Sequence, residues 1–405
     1  MTRPALPAGF HVELDPSTRS SPDGDVVWGG TPWRLLRLTA TGSQRLAWLR
    51  SGAVVDDIRG GVLARRLVDA GLAHPRPPAA LSPNDVDVVV PVRDRVPALN
   101  ACLAALHGLS VTVVDDRSTD GLAVAAAAAA HGARVVRRDR CGGPAAARNT
   151  GLAATRRPHV AFVDSDCVVD AKELLGVAGH LADPCLAAVA PRVSEGDDSS
   201  PLDLGPREAL VGPGSRVSYV PTTALVVRRR ALDEIGAFDE SLRYGEDVDL
   251  VWRLVAGGWS VRYDPSVVVG HVAPRSQAAR LARRYRYGTS AGPLARRHGA
   301  AISGPALSGL VAPLRLGLLR DAGMPTTDAV RVAAMAPLRT TAALLRWSTP
   351  AGPDDLAYAV GVWRGCMRAR TIRPLLPKVR SGRALGHDEA TRNSGGKLMD
   401  PEVDG

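Results

Sequence analysis

The chain has 405 residues, 45% hydrophobic and 23% charged, with a formal net charge of +10. That length leaves room for two or three domains with real cores, and it excludes a disulfide miniprotein or a low-complexity disordered chain. The five cysteines are odd in number, scattered and without a C-x-x-C pair, so a reducing cytoplasm is expected rather than a zinc site or a disulfide framework.

The opening "MTRPALPAGFHVELDPS" lacks the apolar core of a signal peptide, and no window approaches the roughly 18 uninterrupted apolar residues of a membrane span. A cytoplasmic protein is expected, with membrane contact at most peripheral. The basic balance favours anionic ligands without choosing among nucleotides, nucleic acid and acidic lipid.

In chain order, residues 1–73 read as a short strand, a helix opening near Thr41 or Ser43, and a second helix carrying Leu63, Leu67, Val68 and Leu72 at helical spacing and stopped at Gly71. Residues 74–85, "HPRPPAALSPND", read as a proline-rich linker. From Val86 the runs "VDVVVPV", "SVTVVDD", "ARVVRR", "HVAFVDSD" and "LAAVAPRV" predict buried strands, with helices between them over 96–107, 122–131, 144–155 and 171–182. That alternation predicts an α/β fold, a mostly parallel sheet with helices on both faces, and ligands beyond the carboxyl ends of its strands. Residues 194–208 form an acidic loop, and residues 246–258 a helix ended by Gly257 and Gly258. The rest divides into a helical, Arg-rich region over 298–380 and a disordered tail over 381–405.

Four clusters carry candidate chemistry. In "FVDSD", side-chain alternation would aim Asp164 and Asp166 the same way, and two convergent carboxylates call for a hard cation such as Mg²⁺ or Mn²⁺; a turn that caps the next helix is the plain alternative. In "VVDDRSTDG", Asp115 or Asp116 could accept from the imide N–H of a pyrimidine, whereas Asp120 reads as a helix cap. In "CGGPAAARNTG", Gly142 and Gly143 permit close backbone approach, and Arg148 would pair with phosphate or fix a carboxylate. In "YGEDVDL", Glu246 and Asp247 either complement a helix dipole or supply a general base. His271 reads as a core imidazole or a further metal ligand.

Taken in order over roughly residues 85–297, "VVVPVRDR", "VVDDRSTDG", "GGPAAARNTGL", "FVDSD", "ALVVRRRALDEIGAFDE" and "GEDVDLVWRLVAGGW" resemble family-2 glycosyltransferases of the GT-A fold. The resemblance implies a transferase domain over 86–297, with Pro91, Asp115, Asp116, Arg148, Asn149, Asp164 and Ser165 around a nucleotide sugar. It implies a metal on Asp166, with His271 as an extra ligand, and Asp247 as catalytic base with Glu246 beside it. Arg93 and Asp94 depart from the aromatic–Asn pair of many relatives, and the Gln-x-x-Arg-Trp signature of processive synthases is absent. Residues 1–73 are similar to small winged-helix peptide-recognition domains, and that fusion resembles the glycosyltransferases of actinobacterial mycofactocin systems. The kinship implies UDP-glucose as donor and a small peptide-derived acceptor, with no nucleic acid as partner. A cell-wall or lipid-linked polysaccharide transferase is the alternative within the class. A winged-helix binding protein with a degenerate transferase domain is the alternative outside it.

Overall fold

The computed structural model describes residues 3–196, 200–273, 276–302, 304–306, 316–348 and 352–378; the tail expected over 381–405 lies outside the described residues. The N-terminal region comprises β1 (His11–Leu14), β2 (Arg19–Ser20), β3 (Val26–Gly29), β4 (Arg34–Arg37), α1 (Ala40–Arg50), α2 (Ile58–Asp69) and β5 (Ala73–Arg76). Strands β2, β3 and β4 form an antiparallel sheet, and β5 returns to pair with β1. The Thr39 and Asp57 side chains cap α1 and α2 by accepting from the Gly42 and Gly60 N–H groups. Leu63, Leu67, Val68 and Leu72 close one core with Phe10, Leu46 and Leu49.

Two sequence expectations change here. One strand was expected in this region and five are present, because strands of two to four residues leave little periodicity to read. The proline-rich stretch is also not a free linker, since it begins within β5 and His74 is buried. A two-stranded pairing consists only of edges, where Pro75 is tolerated. Arg65 then ties the region to the next one, donating to both carboxylate oxygens of buried Asp183 at 2.9 and 2.5 Å.

The central region continues with β6 (Val86–Val92), α3 (Val96–Ala105), β7 (Ser110–Asp115), α4 (Gly121–Ala130), β8 (Arg134–Arg137), α5 (Gly143–Ala154) and β9 (His159–Val163). Here β6 runs parallel to β7 and β9, and β7 parallel to β8, as the alternation predicts. Then come β10 (Cys167–Val168), α6 (Ala171–Ala178), β11 (Leu186–Ser194), β12 (Ala209–Leu210), β13 (Ala224–Arg228), α7 (Arg229–Ile235), α8 (Glu246–Ala256) and β14 (Ser260–His271). The sheet order is β10-β14-β11-β13-β9-β6-β7-β8, with β13 antiparallel between β9 and β11. The run "LAAVAPRV" is therefore not the next parallel neighbour of β9. Apolar content marks a strand as buried but does not name its neighbour. Cores on both faces of the sheet, one around Val88, Val90 and Leu99 and one around Val89, Phe162 and Leu250, hold the helices against it.

The C-terminal region holds α9 (Gln277–Gly288), α10 (Ala291–His298), α11 (Leu316–Asp321), α12 (Thr326–Ser348) and α13 (Pro353–Ala369). Leu319, Met324 and Ala329 pack on Val26 and Trp28 of β3, so α11 and α12 lie against the N-terminal region. α13 lies against α9 and α10 through glycines: a Cβ on Gly288 would stand 2.2 Å from the Tyr358 carbonyl oxygen, one on Gly361 2.1 Å from that of Tyr285, and one on Gly292 2.1 Å from that of Gly365. Backbone contact this close admits no side chain at these positions. Among the described residues no helix is long and apolar enough to cross a membrane.

Candidate active site

A cleft of about 1820 Å³ opens at the carboxyl ends of β6 and β9 and runs past the start of α8 to the C-terminal helices. Pro91, Asp116, Gly142, Gly143, Arg148, Asp164, Ser165, Asp166, Glu246 and Asp247 all line it. The location follows from the fold, because the backbone N–H and C=O groups at strand ends are free and the connecting loops can be shaped to a ligand.

The "DSD" motif sits in a turn. β9 ends at Val163, and the Cys167 N–H donates to the Asp164 carbonyl oxygen at 2.9 Å. Strand alternation therefore does not aim the two acids, and they find different partners. Asp164 accepts from Arg148 at 2.7 Å, while Asp166 meets the Arg95 guanidinium and faces His271 Nε2 at 3.7 Å. The turn and the cleft role thus coincide.

Asp116 shapes the next wall. Its carboxylate accepts from the N–H groups of Gly142 at 2.9 Å and Gly143 at 2.7 Å and from Arg138 at 2.5 Å. Burial works to raise its pKa, but these donors and the Cys141 thiol together hold it below the usual carboxylate value. Asp115 points away from the cleft. It is buried, pairs with Arg137 and accepts from the Ser118 N–H at 2.7 Å, which fixes the turn after β7. Asp120 caps α4 by accepting from the Ala123 N–H, as its position suggested.

Buried Arg148 joins the two acidic motifs, donating to Asp164 and, at 3.1 Å, to Glu246, with its guanidinium 5.5 Å from the centre of the Phe238 ring. It fixes carboxylates rather than standing free for phosphate. Asn149 does not line the cleft; its amide donates to the Phe238 carbonyl and Glu240 carboxylate and accepts from the Phe238 N–H, clamping the loop that leads into α8. Gly245, at φ +82°, begins α8, where a Cβ would strike Leu294 and Ser290. Glu246 and Asp247 then occupy the first turn of the helix. Asp247 is pushed up to about 7, first by burial and then by the negative charge of Glu246, with Arg148 opposing. A carboxyl poised there exchanges protons near neutrality.

Asp166, Cys167 and His271 offer ligand atoms within 4.8 Å of one another. Burial pushes the Cys167 thiol far above its usual range, so it stays protonated and is no ligand for a hard ion. Burial likewise lowers the pKa of His271 against the pull of Glu195, which keeps the imidazole neutral. His271 Nδ1 donates to Glu195 at 2.9 Å, which turns the Nε2 lone pair toward Asp166, and Arg283 of α9 grips Glu195 at 2.6 and 2.9 Å. A carboxylate behind a histidine is the usual support of a metal-binding imidazole. One carboxylate oxygen and one imidazole nitrogen suit Mn²⁺ better than Mg²⁺, which prefers all-oxygen sites. Sequence reasoning missed Glu195, because it reads there only as one acid of the loop over 194–208. The described acids of that loop serve elsewhere: Asp203 pairs with Arg192, and Glu208 with Arg76 of the N-terminal region. Residues 197–199 are outside the described residues.

Residues 87–236 match the family described as Glycosyl transferase family 2. The chain is 37% identical to the pre-mycofactocin glycosyltransferase of Mycobacterium tuberculosis, over 94% of this chain and 100% of that protein. It is 31% identical to the succinoglycan biosynthesis protein ExoU of Rhizobium meliloti, over 44% of this chain and 59% of that one. Among solved structures, the mannosyltransferase PcManGT from Pyrobaculum calidifontis, in complex with GDP-Man and Mn²⁺, aligns with a TM-score of 0.46 at 21% identity, over 77% of this chain and 92% of that chain. With the family-2 match in the central region and a pre-mycofactocin relative along nearly the whole length, the chain belongs to the family-2 glycosyltransferases.

Proposed function

We propose that this protein is a metal-dependent, inverting glycosyltransferase that moves glucose from UDP-glucose onto a hydroxyl of a small peptide-derived acceptor, as in mycofactocin biosynthesis. The observation that carries the mechanism is Asp247: a carboxyl held near neutrality in the same cleft as Asp164 and Asp166. Identity to the pre-mycofactocin enzyme over almost the entire chain supports the acceptor class. Asp166 and His271 would hold the cation. A divalent ion, when bound, neutralises the diphosphate oxygens as the glycosidic bond to them breaks. Asp247 takes the proton of the acceptor hydroxyl while that oxygen bonds to the anomeric carbon, and attack opposite the departing diphosphate inverts the centre. Glu246, paired with Arg148, stands beside Asp247 and raises the pKa of that base. The binding-protein reading loses support, because Arg65 in the N-terminal region is buried against Asp183 and not offered to a ligand.

The test is a turnover screen with UDP-glucose, GDP-mannose and other nucleotide sugars, with and without Mn²⁺, on wild type, Asp166→Ala and Asp247→Asn. Transfer from UDP-glucose that requires Mn²⁺ and falls about 10²–10⁴-fold in Asp247→Asn is expected. Transfer that survives both substitutions would sink the mechanism.

A further inference from the structure

The two positions at which this chain departs from many relatives open a short segment, Arg93-Asp94-Arg95, at the carboxyl end of β6. Its backbone is anchored. Asp94 stands at φ 57°, its N–H donates to Ser118 Oγ at 3.0 Å, and its carboxylate accepts from the Thr119 N–H at 2.6 Å. The arginine side chains on either side line the cleft and are 57% and 58% exposed. Arg93 reaches the Cys141 thiol beside Asp116 at 3.1 Å, whereas the Arg95 guanidinium sits on the Asp166 carboxylate. Helix stability does not account for a cation at Arg95, which begins α3 without a capping bond, at the end where the dipole disfavours positive charge. Asp166 does account for it. That side chain is only 12% exposed, and its other oxygen faces the neutral imidazole of His271, so it needs a counter-charge.

We infer that Arg95 is a built-in competitor of the metal and a ligand of the donor: it neutralises Asp166 while the cation is away, and exchanges that carboxylate for the diphosphate oxygens when cation and donor enter together. This rests on the transferase reading and adds to it the residue that couples the two ligands. A guanidinium and a divalent cation repel each other at one carboxylate, so the arrival of one displaces the other. The displacement is easy, because a half-exposed ion pair is weak and the Arg95 side chain makes no other bond among the described residues. The anchored backbone meanwhile keeps the released side chain at the cleft. A guanidinium there matches two phosphate oxygens at once, and the other arginine at the acidic motifs, Arg148, is buried and committed to Asp164 and Glu246. The cation alone must therefore strand Arg95, whereas the cation with a diphosphate gives it a new partner. The two ligands then favour each other's binding by the same factor.

The test uses the full chain and binding rather than turnover, on the wild type, Arg95→Ala and Arg95→Gln. Mn²⁺ alone is titrated by electron paramagnetic resonance, and UDP and uridine by calorimetry at saturating Mn²⁺. Both variants are expected to bind Mn²⁺ alone about fivefold more tightly and UDP about tenfold or more weakly. Uridine, which has no diphosphate, should stay within about twofold of the wild type. Damage to the fold does not tighten a metal site, so the gain in Mn²⁺ affinity separates competition from a structural role. Mn²⁺ affinity that is unchanged or lower in both variants would overturn the inference. So would unchanged UDP affinity, or a loss for uridine as large as that for UDP. If Mn²⁺ binds more tightly to the variants while UDP binds to none of the three proteins, the donor reading falls and the competition at Asp166 stands. If UDP binds but Mn²⁺ binds to none of them, the inference falls and the donor reading stands.

Discussion

Replacing Glu246 by Gln removes one negative charge beside Asp247 while keeping an oxygen for Arg148 to bond. Asp247 is raised from 3.8 to about 7, with burial the larger cause and Glu246 the second. For two carboxylates roughly 6 Å apart at an effective dielectric constant of about 20, the repulsion is about 3 kcal/mol, or about two pKa units. Arg148, relieved of one partner, then acts more strongly on Asp247, so the rising limb of the pH profile should move from about 7 to near 5. The sign follows from the role: a general base works deprotonated, so kcat/KM climbs with pH through its pKa and then levels. At pH 6 the wild type should keep about one-tenth of its plateau rate, and the variant most of its own. The assay is kcat/KM for transfer between pH 5 and 8.5, at saturating Mn²⁺, for wild type and Glu246→Gln. A limb that stays near 7 in the variant would refute the electrostatic link between the two acids. A limb that moves upward would refute the sign of the interaction.

Two further outcomes follow from the ion pairs that frame the site. Glu195→Gln should lower Mn²⁺ affinity about 10- to 100-fold, because it weakens the hold on the His271 tautomer; an electron-paramagnetic titration of free Mn²⁺ reads this without turnover, and unchanged affinity would remove Glu195 from the metal's support. Arg65→Ala should cost about 3–5 kcal/mol at the junction of the N-terminal and central regions, because it strands buried Asp183 without its cation. Hydrogen exchange over residues 58–69 and 179–183 checks this, and protection as strong as in the wild type would show that the pair is incidental.

The parallel half of the sheet was legible because β6, β7 and β9 are apolar, bounded by turn residues and separated by helical stretches. The position of β13 was not, since strand order is decided by long-range packing that no local pattern records. Among candidate site residues, the placement of Asp164, Asp166, Glu246 and Asp247 was readable, and all four reach the cleft. Residues whose role depends on which neighbour arrives were not. Asp115 and Asp116 are adjacent on one strand end, yet one fixes a turn from below and the other carries the Gly142–Gly143 backbone. Asn149, one residue after Arg148 on α5, faces the Phe238 loop instead of the cleft. Glu195 was hidden because its partners, His271 and Arg283, lie 76 and 88 residues downstream.

Those long-range partners also give the C-terminal helices a place in the chemistry. Along α9, Arg283 holds Glu195 behind the candidate metal ligand, Tyr287 reaches the cleft one turn later, and Gly288 receives the backbone of α13. Positions i and i+4 are neighbours on one side of a helix and i+5 lies about 100° further round, so one element touches Glu195 behind His271, the cleft that holds Asp247, and the α13 wall. The Glu195–His271 pair and the α13 wall of the cleft are therefore linked through one helix, whose contact with α13 is made backbone to backbone at Gly288 and Gly361.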